Sequence, residues 1–372
     1  MKKSLIALAA VAASGAAFAQ SSVTVFGVVD SAVSYVNGKD NWSGLNSGGN
    51  QTSRLGFRGV EDLGGGLKAN FWLEAGILAD NGSGKSGYSK GVVGEEESDA
   101  LAFKRRATVG LSGNFGEVRL GRELTAAYSA TSRYDVFGQV GFGASKLWTD
   151  AGVNGDSTTQ RVSNMVTYLS PDFSGFRANV NYGFGEDKDA QTGKFANSAS
   201  RYLGAGVTYD NGPLSLGLGL ERRNDGANTG ALADAFDVNA WSLGGSYNFG
   251  VAKLAAAYRN SEAKYSTDGA KDKTKGYYVG VSAPVGAAGE VKASYNRYEV
   301  NTNIAGEPKL KADHFALGYV HNLSKRTALY GTYAYIKNKN VDGVNLGATL
   351  GSGGLKDSGK QQAIQVGVRH AF

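Results

Sequence analysis

Apolar and polar residues alternate strictly along much of the chain. In the segment FRANVNYGF, Phe176, Ala178, Val180, Tyr182 and Phe184 are apolar, whereas the intervening residues are polar or small. A period of two places successive side chains on opposite faces of an extended strand. The segment therefore predicts a β-strand with one dry face and one wet face, and the dry face can meet either a protein core or membrane lipid.

The same pattern recurs along the chain without a change in composition that would mark a domain boundary. Sixteen strands are predicted, at 23–36, 51–61, 67–79, 101–112, 116–122, 159–170, 176–186, 201–210, 214–223, 239–249, 252–264, 276–286, 290–300, 312–322, 326–338 and 361–372. Short turns alternate with long charged loops such as 80–100 and 123–158. This arrangement is typical of an all-β, 16-stranded antiparallel transmembrane β-barrel with short periplasmic turns and long extracellular loops.

Composition and tyrosine placement favour lipid as the dry phase. The chain has 55 glycines, only 4 prolines, 19 tyrosines and 16 phenylalanines. Side chains could not fill the middle of a soluble barrel of sixteen strands. Aromatic girdles at the two membrane interfaces predict tyrosines near strand ends, although β-propensity alone is the alternative. The tyrosines in question are Tyr35, Tyr168, Tyr209, Tyr247, Tyr258, Tyr277, Tyr333 and Tyr335.

The first residues predict export from the cytoplasm. Lys2 and Lys3 precede an apolar stretch at 5–13, and Ala-Phe-Ala at 17–19 fits a signal-peptide cleavage site. The alternative, a retained membrane anchor, is too short to cross a bilayer. Residues 1–19 are therefore interpreted as a signal peptide and 20–372 as one barrel domain in the outer membrane of a Gram-negative cell. The chain has no cysteine, which excludes disulfides and thiolate metal sites.

The end of the chain carries a candidate targeting signal. The last strand, QVGVRHAF, places Gln365, Gly367, His370 and the terminal Phe372 where outer-membrane barrels carry the signal read by their insertion machinery. The alternative is a last strand that happens to end in an aromatic residue. We interpret the four residues as a membrane-insertion signal.

Arginines on the wet faces of three predicted strands are the candidate functional residues. In TSRLGFRG, the apolar residues between Arg54 and Arg58 face outward, so both arginines point inward. Arg161 points inward on the sixth strand, whereas the phase of 104–106 is ambiguous. Strands two, four and six run the same way, so these side chains can form a cluster that Glu74 on strand three orients. Like charges on one wall repel unless water, a counter-charge or a passing anion compensates them.

The opposing wall of the pore is expected from the loop 123–158. A sixteen-stranded barrel would otherwise leave an open channel. The loop holds few acids, among them Asp135, Asp150 and Asp156, together with Arg133. The remaining wet faces are basic, so the pore is expected to prefer anions. The additional basic residues are Lys68, Arg177, Lys253 and Lys292.

Motifs for other chemistry lack their structural context. ADNGSGKS at 79–86 fits a relaxed phosphate loop but is followed by a polar loop without helical period. DKDAQTG at 187–193 lacks the closing glutamate of a calcium loop. His314, His321 and His370 are far apart and are interpreted as surface or interface residues. An outer-membrane hydrolase is the enzyme alternative, but no enzymatic activity, cofactor, metal or nucleic-acid partner is predicted.

The chain resembles the general porins of Gram-negative bacteria, especially the beta-proteobacterial branch. The stretches that carry the resemblance are SSVTVFGVVD, TSRLGFRGVEDLGGGLKANFWLE, FKRRATVGLSGNFGEVRLGRE, SNMVTYLSPDFSGF, SKRTALYGTYAYIKN and VGVRHAF. The resemblance implies a homotrimeric sixteen-stranded barrel with its third extracellular loop folded into the pore. It also implies a constriction with inward arginines on strands two, four and six.

Carried over position by position, the resemblance matches the constriction arginines to Arg54, Arg105 and Arg161, and the inward acid to Glu74. The acidic loop motif of the enteric relatives is not clearly present, because SRYDVFGQVGFG stands in its place. Asp135 is therefore a weaker match, and this departure favours anions over cations.

The expected function is passive diffusion of small hydrophilic solutes and ions, with an anion preference. A channel specific for dicarboxylates or phosphate is one alternative, and an adhesin-like barrel with a plugged lumen is another. Loop 80–100, with Glu95, Glu96 and Glu97, is expected to reach a neighbouring subunit of a trimer.

Overall fold

A computed structural model describes residues 22–85, 100–148, 160–185, 201–225, 236–265, 269–301, 309–339 and 349–372. Several predicted features lie outside these residues. They are the signal peptide 1–19, the acids Glu95, Glu96, Glu97, Asp150 and Asp156, and the segment 187–193.

The wall is a closed antiparallel sheet of sixteen strands, as predicted. The strands are β1 Ser22–Asn37, β2 Arg54–Gly64, β3 Leu67–Ile77, β4 Arg106–Gly113, β5 Gly116–Leu124, β6 Arg161–Leu169, β7 Phe176–Gly183, β8 Tyr202–Asn211, β9 Leu214–Asp225, β10 Phe236–Asn248, β11 Lys253–Tyr265, β12 Lys271–Val285, β13 Gly289–Asn301, β14 Leu310–Asn322, β15 Thr327–Lys339 and β16 Lys360–Ala371. Each strand pairs with its sequence neighbours, and β1 pairs with β16 from Val28–Ala371 to Asn37–Gln362. Closure leaves no wall strand with an unpaired edge.

Three elements inside the loops were not predicted. Short strand Trp42–Ser47 folds back onto β1, and Gly84–Lys85 pairs with β3. Helix α1, Ala126–Ser132, lies in the third long loop. The largest shift of a predicted start among the first strands is at β4, which begins at Arg106 rather than at residue 101. Residues 101–105, LAFKR, precede the strand, and their sequence does not alternate.

The alternating dry face is the outer face of the barrel. Phe176, Val180 and Phe184 are 52%, 44% and 55% exposed on that side, so no protein core covers them. Asn181, on the opposite face of the same strand, is completely buried inside the barrel. Exposed apolar side chains outside and buried polar side chains inside are the reverse of a soluble protein and match a lipid-facing wall.

Within the described ranges, no helix is long and apolar enough to span a membrane, and α1 has only 7 residues.

The first long loop is tied into the barrel by a buried acid on β1. The carboxylate of Asp30 accepts hydrogen bonds from the backbone N–H groups of Gly49 (3.2 Å), Asn50 (2.9 Å) and Gln51 (2.6 Å). The hydroxyl of Tyr330 on β15 donates to the same carboxylate. Asp30 therefore holds the loop after Ser47 against the inner wall where β1, β15 and β16 meet.

We predict that Asp30→Ala destabilises the barrel by about 1–3 kcal/mol, because buried N–H and hydroxyl donors lose their acceptor. The measurement is the urea midpoint of unfolding in detergent. Asp62→Ala is the matched control, since Asp62 accepts one exposed turn hydrogen bond from Gly64. Equal midpoints for the two variants would contradict the anchoring role of Asp30.

Candidate pore constriction

The third loop lies directly against a strip of glycines on the inner wall. Helix α1 begins after Thr125, whose hydroxyl caps Tyr128 N–H at 3.3 Å. A Cβ atom at Gly206, Gly217 or Gly219 would come closer than 3.0 Å to a carbonyl oxygen of this helix, at Ala126, Ala130 and Ala127 respectively. Real Cβ atoms essentially never approach so closely, so these wall positions admit only glycine without a shift of the helix. We call Gly206, Gly217 and Gly219 the glycine strip.

The glycine pattern continues under the rest of the loop. A Cβ atom at Gly244 would collide with the ring of Tyr134, one at Gly276 with Leu147, and one at Gly318 with Phe137. The loop therefore packs closely against the inner wall from β8 to β14. These contacts do not involve β2–β4.

Asp135 is the hub that folds the loop onto itself. Its carboxylate accepts from the backbone N–H groups of Phe137 (2.9 Å), Gln139 (3.1 Å) and Ser145 (2.9 Å), and from the hydroxyl of Tyr278 (3.2 Å). Burial raises the pKa of Asp135 from its usual value, against the opposite effect of these donors. Asp135 is only 5% exposed. The expectation that it faces the pore as a constriction acid does not fit this position, because its oxygens accept from donors of the loop and from Tyr278 of β12.

His314 and Asn296 hold the tip of the loop. The His314 Nε2 atom lies 3.0 Å from the carbonyl oxygen of Phe142, and Asn296 Nδ2 lies 2.8 Å from His314 Nδ1. Since a carbonyl only accepts, Nε2 carries the proton and Nδ1 accepts from the amide. Asn296 also accepts from Lys146 N–H at 3.2 Å. His314 is completely buried. Of the two interpretations, surface or interface residue, His314 fits the second, because it is enclosed between wall and loop.

The structure brings together four of the residues predicted for the constriction. Arg105 Nε lies 2.6 Å from Glu74 Oε1, and Arg54 Nη1 lies 3.9 Å from the same oxygen. Arg161 donates from Nε to the carbonyl of Arg105 at 2.8 Å, so it braces the segment before β4. Arg54, Glu74, Arg105 and Arg161 form what we call the arginine group. It carries three positive charges and one negative charge.

Tyr128 of helix α1 lies at the edge of this region. Burial raises the pKa of its phenol to about 12, and Arg161 acts in the opposite direction. The side chain is therefore a neutral phenol at physiological pH.

A second charged network, absent from the sequence prediction, lies beside the arginine group on β4 and β5. Arg119 bonds Glu117 at 2.7 Å and Glu123 at 3.1 Å, and Arg106 lies 3.7 Å from Glu123. Arg106 Cζ also lies 4.5 Å from the centre of the Trp72 ring. Alternation within GEVRLGREL could have placed Glu117, Arg119 and Glu123 on one face, although the bulge between Gly121 and Glu123 breaks the pattern.

Two predicted residues lie apart from the arginine group. Arg133 forms a two-point ion pair with Asp210 of β8, at 3.1 and 2.9 Å, and so fastens the loop to β8. Arg58 is exposed and stacks near Phe26 and Trp72, with its Cζ 5.4 and 5.3 Å from the ring centres.

The four residues of the predicted insertion signal divide between the two faces of β16. Gln365 faces inward and donates to the carbonyl of Gly49 at 2.8 Å. Gly367 also faces inward, where a Cβ atom would clash with the Tyr330 hydroxyl. His370 and Phe372 are exposed on the outer face. Phe372 joins β1 through two backbone hydrogen bonds with Gly27.

In the part of the chain that the structure describes, no group of three or more His, Asp or Glu side chains could hold a metal ion.

Comparison with known proteins identifies the class that this barrel and its inward loop define. The family model described as "Gram-negative porin" matches residues 5–341, and the chain therefore belongs to that family. It is a porin of the Gram-negative outer membrane, a channel for passive passage of small hydrophilic solutes and ions.

Individual relatives cover the whole chain. "Outer membrane porin protein 32" of Delftia acidovorans is 47% identical over 100% of both chains. An outer membrane porin protein of Bordetella pertussis is 34% identical, also over 100% of both. The solved structure "Anion-selective porin from Comamonas acidovorans" has a TM-score of 0.79 and 43% identity, covering 95% of this chain and 100% of that one.

We predict that Gly219→Ala displaces helix α1 from the wall, because the Ala127 carbonyl that the new Cβ meets is backbone and must move. Overpacking of this kind costs about 1–3 kcal/mol. The expected results are a lower urea midpoint and an altered single-channel conductance.

Gly331→Ala is the matched control, because the nearest atom to its added Cβ is 3.8 Å away. A Gly219→Ala variant that matches this control in both measurements would contradict the role of the glycine strip.

Proposed function

We propose that this porin is a general diffusion channel that prefers anions, and that the arginine group sets this preference. The observation that carries the proposal is the imbalance of charge: Arg54 and Arg105 share the single carboxylate of Glu74, and Arg161 adds a further charge beside them. The acids of the neighbouring network are engaged by Arg119 and Arg106.

The geometry supports a passage between the arginine group and the third loop. The loop is held against β8–β14, whereas the arginines project from β2, from the entry to β4 and from β6. At physiological salt the Debye length is about 8 Å, so the excess positive charge acts across much of a narrow passage. Solutes cross without chemical turnover in this proposal.

The solved relative with 43% identity is an anion-selective porin, and its selectivity supports the same preference here. A channel specific for one dicarboxylate or for phosphate remains the alternative. It predicts conductance block that saturates with that anion alone, whereas an adhesin-like plugged barrel predicts no conductance.

We also propose that the protein assembles as a homotrimer. The outward side chains of β3 and β4 carry no charge, and they include Phe71, Leu73, Val109 and Leu111. By contrast, the outward faces of β11–β14 carry ion pairs near the long loops, such as Lys271–Glu262 and Arg297–Asp313. An uncharged arc suits contact with a second copy of the chain. A trimer band on a non-boiled gel tests this assembly.

We predict that replacing Arg54, Arg105 and Arg161 together with alanine lowers the chloride-over-potassium permeability ratio on the order of tenfold. The physical reason is the loss of the charge that concentrates anions. The measurement is the reversal potential of the purified protein in a planar bilayer under a salt gradient.

Arg222→Ala is the control, since Arg222 lies on the outer face of β9 and pairs with Asp237. A cation-directed reversal potential for the wild type would refute anion preference itself. Unchanged ion selectivity in the triple variant would show that the arginine group does not set the anion preference.

A further inference from the structure

The pairing of Arg58 differs from that of four other arginines near the pore. Arg54, Arg105, Arg106 and Arg119 each lie within 4.0 Å of a glutamate oxygen. Among the described residues, no carboxylate is paired with Arg58. Its exposed guanidinium is held by aromatic rings instead, and it keeps an uncompensated charge in the lumen.

Strand register places Arg58 and its two aromatic neighbours on one inner surface. Arg58 on β2 is opposite Trp72 on β3. Phe26 on β1 is opposite Gly56 on β2. The absence of a side chain at Gly56 leaves room for the Phe26 ring, which an added Cβ there would strike. The rings of Phe26 and Trp72 meet edge to face, with centres 5.1 Å apart.

Arg58, Phe26 and Trp72 form a surface that is separate from the arginine group. Arg58 follows Arg54 by four residues toward the β2–β3 turn, which corresponds to about 13 Å along an extended strand. The two sites nevertheless share a wall, because Trp72 Nε1 donates to Glu74 Oε2 at 3.3 Å. This bond fixes the Trp72 ring beside Arg58 while Glu74 orients Arg105.

We propose that Arg58, Phe26 and Trp72 form a second subsite, on the turn side of the arginine group, for carboxylates borne on an aromatic ring. The guanidinium supplies a two-point fork for the carboxylate. Arg106 already lies over Trp72, 4.5 Å from its ring centre, so the partly exposed ring of Phe26 supplies the main surface against which a planar ring stacks. Acetate can use the fork but has no ring to stack, and chloride can use only the charge. This proposal rests on the proposed anion preference and adds a solute class to it.

The test uses block of chloride current through single channels of the full protein by benzoate, with acetate and cyclohexanecarboxylate as comparison anions. We expect benzoate to block at lower concentration than either, because acetate has no ring and cyclohexanecarboxylate has no planar aromatic face. Arg58→Lys keeps the charge but loses the planar fork. Phe26→Leu keeps Arg58 and removes one ring. Each variant is expected to weaken benzoate block about threefold to tenfold.

Arg222→Lys, on the outer face of β9, is the matched control and is expected to be blocked as the wild type is. Block by benzoate that is no stronger than block by acetate or cyclohexanecarboxylate would overturn the proposal. Full benzoate block in both Arg58→Lys and Phe26→Leu would also overturn it. The reversal potential in potassium chloride, recorded in the same bilayers, separates this failure from a failure of the anion preference itself.

Discussion

The close approach of the third loop to the inner wall is the constraint on which the pore depends. Helix α1 can lie at backbone distance from β8 and β9 only because the glycine strip presents no side chains. A barrel of sixteen strands is wide enough to leave an aqueous channel. The position of the third loop therefore defines the passage, and the glycine strip determines where the loop can pack against the wall.

Much of the fold is predictable from the sequence because a lipid-facing barrel enforces a period of two on every strand. The alternation in 176–184 identified the outer face correctly, and sixteen strands were counted. The inward directions of Arg54 and Glu74 follow from the same rule. The rule gives no answer where the alternation stops: 101–105 is LAFKR and precedes β4. Arg105 and Arg106 both reach carboxylates of the inner wall, which alternation alone would not allow.

Loop contacts were beyond prediction for a different reason. Asp30, Asp135 and His314 act through partners far away in the sequence, such as Tyr330, Tyr278 and Phe142. No local pattern encodes these pairs. High glycine content was visible from the start, but it did not reveal that Gly206, Gly217 and Gly219 form a surface, since that requires the register of two strands.

The way the loop is folded also bears on the charge of the pore. An acid on the third loop could offset the arginine group, and Asp135 is the acid within the described part of the loop beyond α1. Its carboxylate instead collects backbone N–H groups from its own loop and the Tyr278 hydroxyl. A buried carboxylate with these donors cannot also face a passing cation. Folding the loop thus directs this carboxylate into the hydrogen bonds of the loop and of Tyr278 rather than toward the arginine group.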